Sequence, residues 1–306
     1  MNGRAKKRLL VTGLNGFVGR HLQFRLQQAD SGWELVAPPG KYDLTQPVTF
    51  ATWCASRPDA VLHLAGQTFV PESIRNPRHT FDVNLLGTLN LLQALKAGGF
   101  AGTFLYVSSG DIYGQVDEAN LPIREDWLPK PRNPYAVSKF SAEQLCLQWS
   151  YTEPWRILVA RPFNHIGTGQ SDSFVISGMA KQLVQIARGQ QAPLLQVGDV
   201  DVTRDFLDVR DVVEAYLYLL EHGRTGEIYN VCSGRELKIR DLILQLAELA
   251  GVEVELAQDF ERFRPSEQRR VVGSAEKLQA ETNWKPRTSL KETLQSILTD
   301  WQQREK

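Results

Sequence analysis

The chain has 306 residues, with 35 Lys plus Arg against 35 Asp plus Glu and a formal net charge of zero. That balance offers no basic footprint for nucleic acid or an anionic membrane, so neither is an expected partner. No stretch reaches the roughly 18 consecutive apolar residues that a membrane-crossing helix needs. Cys54, Cys146 and Cys232 are scattered with neither metal spacing nor a disulfide framework, which fits a reducing cytoplasm. The basic start through Arg8, followed by Leu9-Leu10-Val11, imitates a secretory leader. Gly13, Asn15 and Gly16 then break the apolar run and no small-residue cleavage site follows, so a leader is not expected.

In chain order, Arg8–Thr12 reads as a strand and Gly16–Ala29 as a helix. Short apolar strands are expected at Glu34–Ala37, Ala60–Ala65, Phe104–Ser108 and Arg156–Arg161, with helices at His79–Ala97 and Pro134–Trp149 between them. Strand–helix alternation with near-continuous apolar strands predicts an α/β fold with a parallel sheet covered on both faces. Beyond Arg161 the spacing predicts helices at Ser173–Arg188, Asp208–His222, Ile239–Ala250 and Ser289–Arg304, and strands at Glu227–Val231 and Val252–Leu256. The expected division is a dinucleotide-binding domain over residues 1–163, with a return segment at about 195–232. A substrate lobe takes residues 164–194 and 233–306.

Thr12-Gly13-Leu14-Asn15-Gly16-Phe17-Val18-Gly19 lies between the first strand and the first helix. Gly13 permits a tight turn, Gly16 lets a pyrophosphate approach the backbone, and Gly19 lets the helix pack closely. The N–H groups and dipole at the helix start favour phosphate. The second strand ends Val36-Ala37-Pro38-Pro39-Gly40-Lys41, without the carboxylate that holds a ribose 2′-hydroxyl in NAD-preferring folds. NADP(H) is therefore the expected cofactor, NAD(H) stays open, and Arg20 and Lys41 are candidate phosphate partners.

Tyr135-Ala136-Val137-Ser138-Lys139 places a phenol and an ammonium one helical turn apart, on one face. A phenol brought toward neutrality by a nearby cation can exchange a proton with a carbonyl oxygen. Val107-Ser108-Ser109-Gly110-Asp111 follows a buried strand, and the ends of parallel strands are where ligands bind.

These motifs, in this order, resemble the extended short-chain dehydrogenases/reductases, the family of nucleotide-sugar-modifying enzymes. The resemblance covers the whole chain and implies a Rossmann-type doubly wound parallel sheet with a smaller C-terminal α/β substrate lobe. It implies that Asp43 and Leu44 flank the adenine, that Leu64, Ala65 and Gly66 line the cofactor, and that the Asn84-x-x-Gly87-Thr88 helix follows. Ser109 takes the catalytic serine position, with Ser108 as rival, beside Tyr135 and Lys139. Pro162 borders the nicotinamide. Phe163-Asn164-His165, Arg204-Asp205-Phe206 and Arg264-Pro265-Ser266-Glu267 resemble the branch that handles GDP-linked hexoses. Asn164 and Gly110 would then contact the sugar, Arg204 and Arg264 the diphosphate, and Glu267 a ribose hydroxyl or a guanine edge, with His165 a hydrogen-bonded scaffold residue. The implied substrate is a GDP-linked 4-keto-6-deoxy sugar, and no metal is implied. Asp111 stands where dehydratases of the family carry a glutamate, which favours reduction over elimination. A 4-epimerase or 4,6-dehydratase, and a non-catalytic dinucleotide sensor, are the alternatives. A homodimer through the helices at about Leu85–Ala97 and Tyr135–Trp149 is expected.

Overall fold

A computed structural model of the chain describes residues 6–36, 42–47, 56–259 and 268–305. In chain order these form β1 (Lys7–Thr12), α1 (Phe17–Leu26), β2 (Trp33–Val36), β3 (Ala60–His63), α2 (Val70–Arg75), α3 (Pro77–Phe81), α4 (Gly87–Ala97), β4 (Thr103–Val107), α5 (Pro134–Trp149) and β5 (Arg156–Pro162). Then follow β6 (Asn164–Ile166), α6 (Val175–Ala187), β7 (Leu194–Val197), β8 (Thr203–Asp208), α7 (Val209–His222), β9 (Ile228–Val231), β10 (Glu236–Lys238), α8 (Ile239–Ala250), β11 (Glu255–Gln258), α9 (Glu276–Thr282) and α10 (Leu290–Arg304).

The main sheet runs β2-β1-β3-β4-β5-β9, with every pair parallel. Alternation along each strand sends its side chains to opposite faces. Leu9, Val11, Leu62, Leu105 and Leu158 pack with residues of α1, α7 and α9, while Leu10, Val61, Phe104, Ile157 and Val159 pack with residues of α4 and α5. Both faces are dry, which is why the strands read as unbroken apolar runs. The chain leaves β1 for β2 on one side and returns to β3 on the other. This strand-order reversal opens a crevice at the carboxyl ends of β1 and β3.

The second lobe has its own core, in which Ile176 and Leu183 of α6, Ile243 and Leu246 of α8, and Ile297 and Leu298 of α10 are buried together. Its strands make a three-stranded sheet, β10-β8-β6, and a parallel pair, β11-β7. Of the stretch at 195–232, β9 joins the main sheet and α7 packs beneath it, whereas β7 and β8 pair within these smaller sheets.

Two expectations need correction. The single helix expected over His79–Ala97 is α3, a five-residue π-type turn at Asp82–Leu86, and α4. Asn84 is the buried residue of this widened turn, and such turns are frequent at functional sites. The strand expected at Val252–Leu256 lies further on, at Glu255–Gln258, where pairing with Leu194–Val197 sets its position.

Candidate active site

The glycine turn sits at the mouth of the crevice. Gly13 has φ +79°, and a Cβ there would lie 2.8 Å from the Ala65 nitrogen, so both its conformation and its neighbour require glycine. At Gly19 a Cβ would lie 2.3 Å from the Gly13 carbonyl oxygen and 2.5 Å from that of Leu14, so the turn folds back directly onto α1. Asn15 and Gly16 face solvent, Gly16 caps α1 without a side-chain hydrogen bond, and no acidic residue occupies the first turn. The N–H groups at Phe17, Val18 and Gly19 thus open a helix start that suits a pyrophosphate. The residues present fit a dinucleotide.

A hydrogen-bonded chain braces this crevice from beneath. The Ala65 N–H donates to Thr12 Oγ1 at 3.0 Å, and Thr12 Oγ1 donates to His63 Nδ1 at 2.7 Å. His63 Nε2 then donates to Thr88 Oγ1 at 3.0 Å, which donates to the Asn84 carbonyl at 2.6 Å. Burial, with the Lys139 ammonium nearby, pushes His63 down to about 3, so it is a neutral linker with the proton on Nε2.

The Asn84 side chain couples the segment that follows β3 to helix α5. Its Oδ1 accepts from the Gln67 N–H at 2.7 Å, and its Nδ2 donates to the Gln67 carbonyl and to Ser138 Oγ, both at 2.9 Å. A Cβ on Gly66 would lie 2.9 Å from Asn84 Oδ1, which accounts for glycine there. Leu44 is buried against Gly87, and its carbonyl accepts from Asn90 Nδ2 at 2.9 Å. Asp43 is exposed and held low by hydrogen bonds from the Thr45 N–H and hydroxyl. Leu64 lies half-buried between Ala65 and His63. Arg20 spends its guanidinium on the carbonyls of Asn15 and Gly169, which ties the turn to the crossover, and the Gly13 N–H donates to the Tyr42 hydroxyl at 2.6 Å. Lys41 lies outside the described residues.

Helix α5 carries the candidate reacting groups, Tyr135 and Lys139. Asn133 caps it by accepting from the Ala136 N–H, and Pro134 sits in its first turn. Lys139 is 5% exposed, lies 4.6 Å from the centre of the Tyr106 ring, and is brought down to about 8 by burial. Tyr135 is half-buried. Burial pushes its phenol up to about 12, with the Asp111 carboxylate adding to the rise and a hydrogen bond with the Ser109 hydroxyl opposing it. The sequence suggested a phenol shifted toward neutrality; here burial dominates, and the group is a protonated donor throughout the neutral range. Ser109 begins a single 3₁₀ turn, Gly110–Tyr113, and accepts from the Asp111 N–H at 3.1 Å. The rival Ser108 is 2% exposed, so it is Ser109 that meets Tyr135.

From Pro162, the last residue of β5, the chain crosses to the second lobe. Phe163 packs over Gly110, where a Cβ would lie 3.0 Å from its ring. Asn164, the first residue of β6, is exposed. The His165 ring stacks on Phe17 at 5.9 Å and donates from Nδ1 to the Phe163 carbonyl, a scaffold role. Arg204 Nη1 donates to the carbonyls of Thr203 and Gln268 at 2.7 and 2.9 Å. Arg264 and Glu267 lie outside the described residues.

Sequence reasoning left the structural roles of three groups unread. Asn84 was placed only by resemblance, since an extra residue within one helical turn leaves no periodic trace. Glu143 and Arg161 form a buried pair behind the site, at 0% and 2% side-chain exposure. Asp205, fully buried, accepts from the Ser233 N–H and hydroxyl, the Gly234 N–H and the Gly273 N–H. Each is a charged or polar residue whose partner is remote in sequence.

A family profile described as GDP-mannose 4,6 dehydratase matches residues 41–297. The chain is 60% identical to the GDP-6-deoxy-D-mannose reductase of Pseudomonas aeruginosa over 298 residues, 97% of this chain and 98% of that protein. It is 30% identical to the GDP-6-deoxy-D-talose 4-dehydrogenase of Aggregatibacter actinomycetemcomitans over 275 residues, 89% of this chain and 90% of that one. The solved structure of RMD from Pseudomonas aeruginosa complexed with NADPH superposes with a TM-score of 0.95 at 60% identity, covering 98% of this chain and 100% of that one. The glycine turn, the Ser109–Tyr135–Lys139 grouping and these end-to-end matches place the chain in the extended short-chain dehydrogenase/reductase family, among the relatives of GDP-mannose 4,6-dehydratase.

Proposed function

We infer that the chain is an NADPH-dependent reductase that converts GDP-4-dehydro-6-deoxy-D-mannose to GDP-6-deoxy-D-mannose (GDP-D-rhamnose). The observation that carries this reading is its end-to-end identity with the Pseudomonas reductase. NADPH supplies the hydride when bound. As C4 of the sugar receives it, the carbonyl electrons move to O4, and Tyr135 gives that oxygen its proton. Ser109 donates a hydrogen bond to the same oxygen and fixes where its charge develops. The Lys139 ammonium favours the phenolate left behind, and its position on α5 suits a hydrogen bond to the nicotinamide ribose. Solvent then returns the proton to Tyr135.

Asp111, two residues after Ser109, takes a hydrogen bond from Asn133 Nδ2 at 3.1 Å. It is one methylene shorter than the glutamate that elimination uses, which supports simple carbonyl reduction. Arg204 and Arg264 would hold the diphosphate, Glu267 the guanosine, and Asn164 and Gly110 the sugar. No helix among the described residues is long and apolar enough to cross a membrane. The cytoplasmic assignment rests on cysteine usage.

The proposed homodimer pairs α4 and α5 with those of a second copy. Leu86, in the π-type turn that leads into α4, is 44% exposed, and Leu85 of that turn, Leu89 of α4, and Leu145, Leu147 and Trp149 of α5 are half-buried. Leu92, expected on the same surface, is instead fully buried against the sheet. Light scattering at micromolar protein concentration tests the dimer, and a monomeric mass refutes it.

The decisive assay supplies GDP-4-keto-6-deoxymannose with NADPH or NADH and follows both cofactor and product. A reductase consumes NADPH in proportion to product. An epimerase or dehydratase instead turns over GDP-mannose with no net change in NADPH, and cofactor binding without turnover of either sugar indicates a sensor.

A further inference from the structure

The reacting groups sit on two separate pieces of chain, Ser109 on a single 3₁₀ turn and Tyr135 with Lys139 on α5. One buried guanidinium touches both. Arg161, on β5, donates from Nε and Nη2 to the two oxygens of Glu143 at 3.1 and 2.6 Å. Its Nη1 donates to the Tyr113 hydroxyl at 2.8 Å and to the Glu125 carbonyl at 3.3 Å. Glu143 lies one helical turn after Lys139 and two after Tyr135, on their face of α5. Tyr113 closes the turn that Ser109 opens, and its hydroxyl donates to Asn230 Oδ1 at 2.8 Å. The Asn230 N–H in turn donates to Glu125 Oε1 at 2.8 Å. Every member of this cage is anchored by another.

We propose that the buried Glu143–Arg161 pair is a positioning device that holds Tyr135 and Lys139 in register with Ser109. Burying two charges is a weak route to stability, because desolvation offsets most of their attraction. A bidentate pair does fix distance and angle together. Apolar side chains of similar volume would fill the same space without fixing either. The pair also sets the charge near the reacting groups. The Glu143 carboxylate opposes the burial that lowers Lys139, which is faced by Tyr106 from β4, His63 from β3, and Cys146 from its own helix. Tyr135 is faced by Ser109 and Asp111, by Tyr106 from β4 and by Tyr216 from α7.

The test rests on the reductase reading and uses the full chain, with wild type run alongside; an inactive wild type would defeat that reading and leave this one to be judged under whichever activity is found. Glu143→Gln keeps the shape but leaves Arg161 uncompensated. It should lower kcat at least tenfold, leave the NADPH dissociation constant unchanged, and move the alkaline limb of the kcat–pH profile down by about one unit. A purely structural role would leave that limb in place. The double variant Glu143→Met with Arg161→Met removes both charges and guards against misfolding of the single variant. It should keep the wild-type circular dichroism spectrum and NADPH affinity while kcat falls below a fifth of wild type. A folded double variant at or above a fifth overturns the proposal, and so does an unmoved limb in a folded Glu143→Gln.

Discussion

Replacing Lys139 by methionine should stabilise the protein while disabling it. The ammonium is 5% exposed, and burial takes it from 10.5 to about 8. A base whose folded pKa lies below its unfolded value binds fewer protons when folded, so its charged form opposes folding. At pH 7 both states hold the proton, and the whole opposition is present, about 3 kcal/mol from a shift of this size. As pH rises through 8 the folded state sheds the proton, and above the unfolded value the opposition is gone. Methionine has a similar length and carries no charge, but it forfeits the ammonium–ring contact with Tyr106, worth about 1 kcal/mol. The net gain at pH 7 is about 2 kcal/mol, or a rise in Tm of about 3 °C for a chain of this size. Differential scanning fluorimetry without cofactor, at pH 7 and again near pH 10, should show the advantage shrinking at the higher pH. Turnover should fall at least about 100-fold at either pH. A variant less stable than wild type at pH 7, or an advantage independent of pH, would refute the assignment of this cost to a buried ammonium.

Tyr135→Phe should leave NADPH affinity and Tm nearly unchanged while turnover falls by about 10²–10⁴; retention of more than a tenth of wild-type kcat argues against the proton-donor role. Gly19→Ala should abolish NADPH binding in a fluorescence titration, because its Cβ would sit 2.3 Å from the Gly13 carbonyl; normal affinity would show that the turn yields easily. Arg204→Ala should raise the apparent substrate constant about tenfold, since a charge-assisted phosphate contact is worth about 1.5–3 kcal/mol. Calorimetric titration of GDP, UDP and dTDP should favour GDP, and equal affinity for the three would remove the GDP preference.

Helix α5 was legible to the residue because its signals are local: Asn133 caps it and Pro134 opens it. Helix α8 was equally legible, since Gly251 stops it in the left-handed region at φ 71°. The glycine turn, Tyr135 and Lys139 stand out because their chemistry depends on close spacing. The π-type turn around Asn84 left no such trace. Glu143 and Arg161 escaped for a different reason: they lie 18 residues apart on different elements, and only the packing of α5 on β5 brings them together. Strand β8 was hidden inside a stretch valued for its arginine, although Asp205 and Phe206 are buried there and Arg204 shares its Nη1 with two backbone carbonyls.

Asp205 binds three stretches of chain that never meet in sequence: its own strand β8, the turn at Ser233–Gly234 that leaves β9, and Gly273 ahead of α9. Asn230 of β9 likewise completes the cage around Tyr113. The two lobes are therefore not interchangeable cassettes. A substrate lobe grafted from a relative would have to arrive with its own strand for the main sheet and its own carboxylate for the joint. A fragment cut after Phe163 would lose an edge strand and one wall of the cage around its buried arginine. Changes in sugar preference are easier to reach by substitutions within the cleft than by exchange of whole lobes.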